Sequence, residues 1–194
     1  MMFSSSTVPC SITHVCRHTE TVNISYRFTK EKEQEKAALA KTLCSKCSKK
    51  LEELFKNPGE TVFDLVLPPL RGSDKQVAWA NKLRDQRWAH HGALLQTVSL
   101  QDDKDPLTLP LYRALLAFGS MDDARFWIDT RDNKLGHWGL KSDVEFFIKE
   151  PGYGVVVGEF SPYGRLKKFN PSLLGQIMRA ELPTLEASDQ PQAV

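Results

Sequence analysis

Cys44-Ser45-Lys46-Cys47, running on into Ser48-Lys49-Lys50-Leu51-Glu52-Glu53-Leu54-Phe55-Lys56, decides how the first third of the chain is read. Two thiols separated by two residues sit at the mouth of a segment whose Leu51, Leu54 and Phe55 share one stripe. That spacing predicts a helix over residues 47–56 that opens on the thiols. Upstream, Cys16-Arg17-His18 supplies another thiol and an imidazole. Zn²⁺ prefers such ligands, and a closed structural site takes four of them in a tetrahedron. A helix N-terminus eases the negative charge of the thiolates. Cys16, His18, Cys44 and Cys47 are therefore the expected zinc ligands, in a treble-clef or zinc-ribbon-like module. Four protein ligands leave no open position, so the metal is expected to hold structure rather than catalyse.

Three alternatives stay open. Cys-x-His is tighter than the usual ligand pair, which leaves Cys10 and His14 as substitute ligands. Free buried Cys behave as small apolar residues and need no metal. A redox Cys-x-x-Cys lacks the flanking βαβ pattern here.

Around the knuckle, Val22, Ile24 and Tyr26 alternate within residues 18–28, which predicts a strand. Residues 30–43 are rich in helix formers. Asn57-Pro58-Gly59 then reads as a turn and a seam. Charge changes across it. Residues 1–57 hold 10 Lys and Arg against 6 Asp and Glu, a balance of +4, while the rest of the chain carries 16 and 18, or −2. Arg17, Lys41, Lys46, Lys49 and Lys50 crowd the knuckle. Arg17, Lys46, Lys49 and Lys50 are candidate partner-binding residues, for phosphates of a nucleic acid or for a protein; the plainer reading is a solvated rim offsetting thiolate charge.

The whole chain has 194 residues, 41% apolar and 26% charged, with a net charge of +2. That composition excludes wholesale disorder. No apolar run approaches the ~20 residues of a membrane span. The start has neither a basic region nor an apolar core of a secretory signal, so a reducing, cytoplasmic setting is expected.

Beyond a linker over residues 58–73, residues 74–182 read as a helical body, and residues 183–194 as a disordered tail. Residues 60–67 are a short buried strand or an extended linker. Ser73 with Gln76 is a capping box opening a helix to about Leu95, with Val77, Trp79, Ala80 and Leu83 on a broad buried face. Further helices are expected over residues 107–118, interrupted by Pro110, after Ser120 with Asp123, and after Ser142 with Glu145. Val155, Val156 and Val157, the turn Ser161-Pro162-Tyr163-Gly164 and a return to Phe169 read as a β-hairpin. Its tip could present Tyr163 and Arg165 to a partner. Asn170-Pro171 starts a last helix. The fold class is thus α+β and helix-rich, with an N-terminal zinc module and a C-terminal hairpin plus helix.

Leu70-Arg71-Gly72-Ser73-Asp74-Lys75-Gln76-Val77-Ala78-Trp79-Ala80, followed by Leu83-Arg84, is the most distinctive string. It resembles a block found in a loosely defined group of small bacterial proteins, many from plasmids and prophages, in which it follows a Cys/His cluster. The resemblance covers about residues 14–90. It implies a zinc-ribbon-like N-terminus and an intracellular accessory protein of a mobile element, and it brings no catalytic residues. The leading function is therefore a non-enzymatic, zinc-binding regulatory protein with a protein or nucleic-acid partner. The alternative is a metal-dependent nuclease or transferase using the carboxylates of Asp122, Asp123, Asp129 and Asp132. A plainer role for these is favouring a helix N-terminus and solvating a face.

Overall fold

The period-two alternation is stronger than the sequence reading allowed. Val8, Cys10 and Ile12 alternate as Val22 and Ile24 do, and two strands form where one was expected. β1 (Ser6–Thr13) and β2 (Thr19–Tyr26) pair antiparallel, with Cys10 opposite Val22 and Thr13 opposite Thr19. One face buries Cys10, Ile12 and Ile24 against Leu39 and Ala40; the other shows Thr7, Ser11, Thr21 and Ser25 to solvent. The structure, a computed structural model, describes residues 6–101, 104–132, 137–152, 155 and 157–183. The tail expected to be disordered lies, but for Pro183, outside the described residues.

Eight helices follow among the described residues. α1 (Thr29–Leu39) has no fully buried residue and touches the hairpin through Leu39, and α2 (Ser45–Lys56) begins at the Cys knuckle. α3 (Asp74–Ser99) starts at the expected capping box: Ser73 Oγ accepts the Gln76 N–H, and the Gln76 side chain accepts the Ser73 N–H. α4 (Thr108–Gly119) runs unbroken through Pro110, which lies in the first turn, where a missing N–H costs nothing. α5 (Ala124–Asp129) is capped by Asp123 rather than Ser120, whose hydroxyl donates instead to Leu116 O at the end of α4. α6 (His137–Ile148) holds Ser142 in its interior rather than at its start. α8 (Pro171–Met178) begins as expected, with Asn170 Oδ1 accepting the Leu173 N–H.

Among the described residues the expected C-terminal hairpin does not form, its return arm being a helix; Gly154 and Val156 of its first arm lie outside the described residues. Residues 162–169 form α7 (Pro162–Phe169), capped by Ser161 Oγ accepting the Gly164 N–H at 3.0 Å. Ser161-Pro162 is an N-cap followed by Pro at the first helical position, the same start signal as Asn170-Pro171. Tyr163 is buried against Phe146 and Phe147, so it presents no exposed edge.

Residues 60–70 form no regular element and cross the helices as an extended strap. Phe63 N–H bonds Gly92 O at 2.9 Å, and Arg84 reaches Pro68 O at 2.6 Å. Phe63, Leu65 and Leu67 pack against the core, while Val62, Asp64 and Val66 face out. Gly92 and Gly119 make room for it: a Cβ at Gly92 would meet Val62 Cγ1 at 2.6 Å, and one at Gly119 would meet Leu65 Cδ2 at 2.7 Å.

The main core joins α3, α4, α5, α6 and α7 through Leu94, Leu95, Leu115, Trp127, Val144 and Tyr163. Trp127 Nε1 donates to Met121 O at 3.1 Å, so its one polar atom is satisfied. Cys16, Cys44, Cys47 and Leu51 belong to this same buried cluster, which places the Cys knuckle against the helices rather than on a free module. Among the described residues no helix is long and apolar enough to cross a membrane.

Candidate metal centre

The turn between β1 and β2 carries the first two candidate ligands. His14 N–H bonds His18 O at 3.0 Å and Arg17 N–H bonds His14 O at 2.9 Å, closing a tight loop. Arg17 takes φ 63°, a left-handed conformation that costs a non-Gly residue about 1 kcal/mol. This sharp reversal turns both Cys16 and His18 toward α2, so the short Cys-x-His spacing works.

The second pair comes from the helix start. Cys44 is the N-cap of α2, and its Sγ accepts the Cys47 N–H at 3.4 Å. Cys44 N–H in turn points at Cys16 Sγ, 3.5 Å away. His18 Nδ1 lies 3.2 Å from Cys47 Sγ and 3.7 Å from Cys44 Sγ. All four ligand atoms lie within 4.8 Å of one another. A tetrahedral zinc with its usual bond lengths needs ligand atoms about 3.5–3.8 Å apart. The distance from His18 to Cys44 already meets that, the one to Cys47 must open by about 0.3 Å, and the widest pair must close by about 1 Å. The group can hold a metal ion.

Protonation follows from the same contacts. Burial raises the Cys16 thiol, but the N–H groups of Cys44 and His18 and their side chains outweigh it, bringing it down to about 7. Cys47 is pushed up, first by burial and then by the neighbouring Cys44 and Cys16 sulfurs. Three sulfurs so close cannot all ionise alone. A dication at their centre removes that conflict, and binding then releases protons.

The substitute ligands are used elsewhere. Cys10 belongs to the small core of the hairpin. His14 is buried, with Nδ1 3.2 Å from Thr42 O and Nε2 3.0 Å from Glu20 Oε1. Glu20 was not foreseen. It accepts the Ser45 hydroxyl at 2.6 Å and the Ser45 N–H at 3.2 Å, tying β2 to the first turn of α2. The Ser45 hydroxyl, chiefly, holds its carboxyl below the usual range. Glu145 of α6 accepts the Leu43 N–H at 2.9 Å, anchoring the knuckle from the other side. Both clamps span long sequence separations that no local pattern marks.

Of the basic rim, Arg17, Lys46 and Lys49 are exposed. Lys50 is ion-paired to Asp105. Burial raises the Asp105 carboxyl, yet Lys50 and the Leu107 N–H outweigh it and hold it below its ordinary value.

The carboxylates considered for catalysis are each matched with a guanidinium. Arg71 grips Asp122 in a bidentate pair at 2.8 and 2.9 Å, and Arg165 pairs with Asp123. Arg125 lies 3.9 Å from Asp129, and Arg131 lies 3.4 Å from Asp132. Among the described residues, the Cys/His quartet alone gathers three or more potential ligands.

Trp79 differs from its expected place on a buried face. It is 48% exposed, with the Arg131 guanidinium over its ring at 5.5 Å from the centroid. No protein-family model matches the chain, and no curated protein or solved structure matches it.

Proposed function

We propose that the chain is a non-enzymatic, zinc-binding accessory protein in which the metal pins the β1–β2 turn to the start of α2. The single observation that carries this is the convergence of Cys16, His18, Cys44 and Cys47 within 4.8 Å. Three thiols and an imidazole favour zinc over calcium or magnesium, which take oxygen ligands. All four ligands are protein atoms, which matches a structural role. The four free cysteines suit a reducing compartment such as the cytoplasm. A role in a bacterial mobile element is supported by the resemblance of residues 70–84 alone.

The partner reading is a macromolecule met by the rim of Arg17, Lys46 and Lys49, which are exposed around the site. Lys50 contributes less, being engaged with Asp105.

Metal dependence of stability tests the structural role. Stripping metal with a strong zinc chelator under reducing conditions is expected to lower the melting temperature by about 10 °C, with recovery on adding Zn²⁺. An unchanged melting curve contradicts a structural zinc.

A further inference from the structure

Tryptophan is on average a well-buried residue, and Trp88 and Trp127 conform. Trp79 does not: it is 48% exposed in the middle of the most distinctive string in the chain. Lys75 lies one turn before it and Lys82 one turn after, at the i, i+4 and i+7 spacing of one helix stripe. Both lysines are exposed, and neither pairs with a carboxylate among the described residues. Asp74 sits about a quarter turn from this stripe, and Asp85, three residues after Lys82, borders it without forming an ion pair with either lysine.

The stripe is completed by Arg131, just beyond the end of α5. Arg131 Nη1 donates to Ile128 O at 2.9 Å, which holds the guanidinium over the Trp79 ring. Asp132 lies 3.4 Å from Arg131 and shares its charge, so the two lysines supply the unmatched cations.

We propose that Lys75, Trp79 and Lys82, with Arg131 stacked on Trp79, form a docking surface for single-stranded nucleic acid. A base stacks on the open part of the indole, and the adjoining phosphates meet the lysines. Stacking of bases on aromatic rings beside cationic side chains is the recurring chemistry of single-strand binding. Trp and Arg also mark protein interfaces, but Lys is depleted there, and here two lysines flank the ring. The surface is separate from the Cys/His quartet in sequence and needs no metal, so it stands or falls apart from the zinc reading.

The test is fluorescence anisotropy of labelled oligo(dT) and oligo(rU), about 20 nucleotides long, with the full chain at about 50 mM salt. Binding that weakens with salt is expected. Trp79→Ala should weaken it roughly 10-fold while Trp79→Phe keeps most of it. The double variant Lys75→Glu, Lys82→Glu should weaken it further and flatten the salt slope. Phe28→Ala, which removes another exposed ring far along the chain, should leave it unchanged. Circular dichroism confirms that each variant is folded, as expected for exposed positions. No binding by the wild-type chain, or equal binding by Trp79→Ala, overturns the proposal. So does self-association of the wild type that Trp79→Ala abolishes, which would make the surface a protein interface.

Discussion

Asp143, on α6, is a buried carboxyl with only 1% of its surface exposed. It accepts the Tyr163 N–H at 3.3 Å and leaves Oδ1 without a partner among the described residues. Burial pushes it up from the ordinary 3.8 to about 7, against the lowering by Ser161 and the Tyr163 N–H. The folded chain therefore holds this proton more tightly than the unfolded chain does. The stabilisation is complete below the ordinary carboxyl value and is lost as pH rises through about 7. Asn at this position cannot ionise. Asp143→Asn is thus expected to match the wild type near pH 3 and to exceed it increasingly as pH rises to about 8, by at most about 4 kcal/mol. Urea midpoints at several pH values read this directly, and parallel pH profiles contradict it. A small cavity beside the carboxyl is also lined by His91, so the variant, rather than the wild-type profile alone, isolates Asp143.

At the scale of elements, start signals were the legible part. Ser73 with Gln76 and Asn170-Pro171 cap their helices as read. The same chemistry at Ser161-Pro162 was outweighed by the β-branched run before it and by reading Pro-Tyr-Gly as a turn. Burial of Tyr163 among Phe146 and Phe147 decides for the helix, and that burial depends on residues distant in sequence. The strap over residues 60–70 was legible only as an alternative, because its hydrogen bonds go to Gly92 O and from Arg84 rather than to a neighbouring strand. Gly119 tests it. Alanine ordinarily strengthens a helix by about 1 kcal/mol over glycine. Here its Cβ would lie 2.7 Å from Leu65 Cδ2 and from Trp88 Cη2, and overpacking of this kind costs about 1–3 kcal/mol. Gly119→Ala is expected to lower stability in urea by up to about 2 kcal/mol. A gain in stability would show that the strap gives way easily.

For the whole molecule, the placement of cysteines told more than their number. Soft ligands at Cys16, His18, Cys44 and Cys47 were legible because a knuckle at a helix mouth is a local pattern with a chemical cause. Their clamps were not. Glu20 on Ser45, Glu145 on the Leu43 N–H and Lys50 on Asp105 join parts of the chain that only folding brings together. The apolar character and helical phase of Trp79 point to the core, but its ring is met by the Arg131 guanidinium just beyond α5 and stays half open. The basic excess of residues 1–57 remains on the surface as Arg17, Lys46 and Lys49, around a centre whose three thiolates would outweigh a dication by one charge. The central claim is that zinc occupies this centre. Its most direct test is the metal content of the purified, reduced chain, by mass spectrometry of the element, beside Cys44→Ser. One zinc per wild-type chain and marked loss in the variant are expected. A folded, reduced wild-type chain without stoichiometric metal that takes up none from added Zn²⁺ contradicts the account.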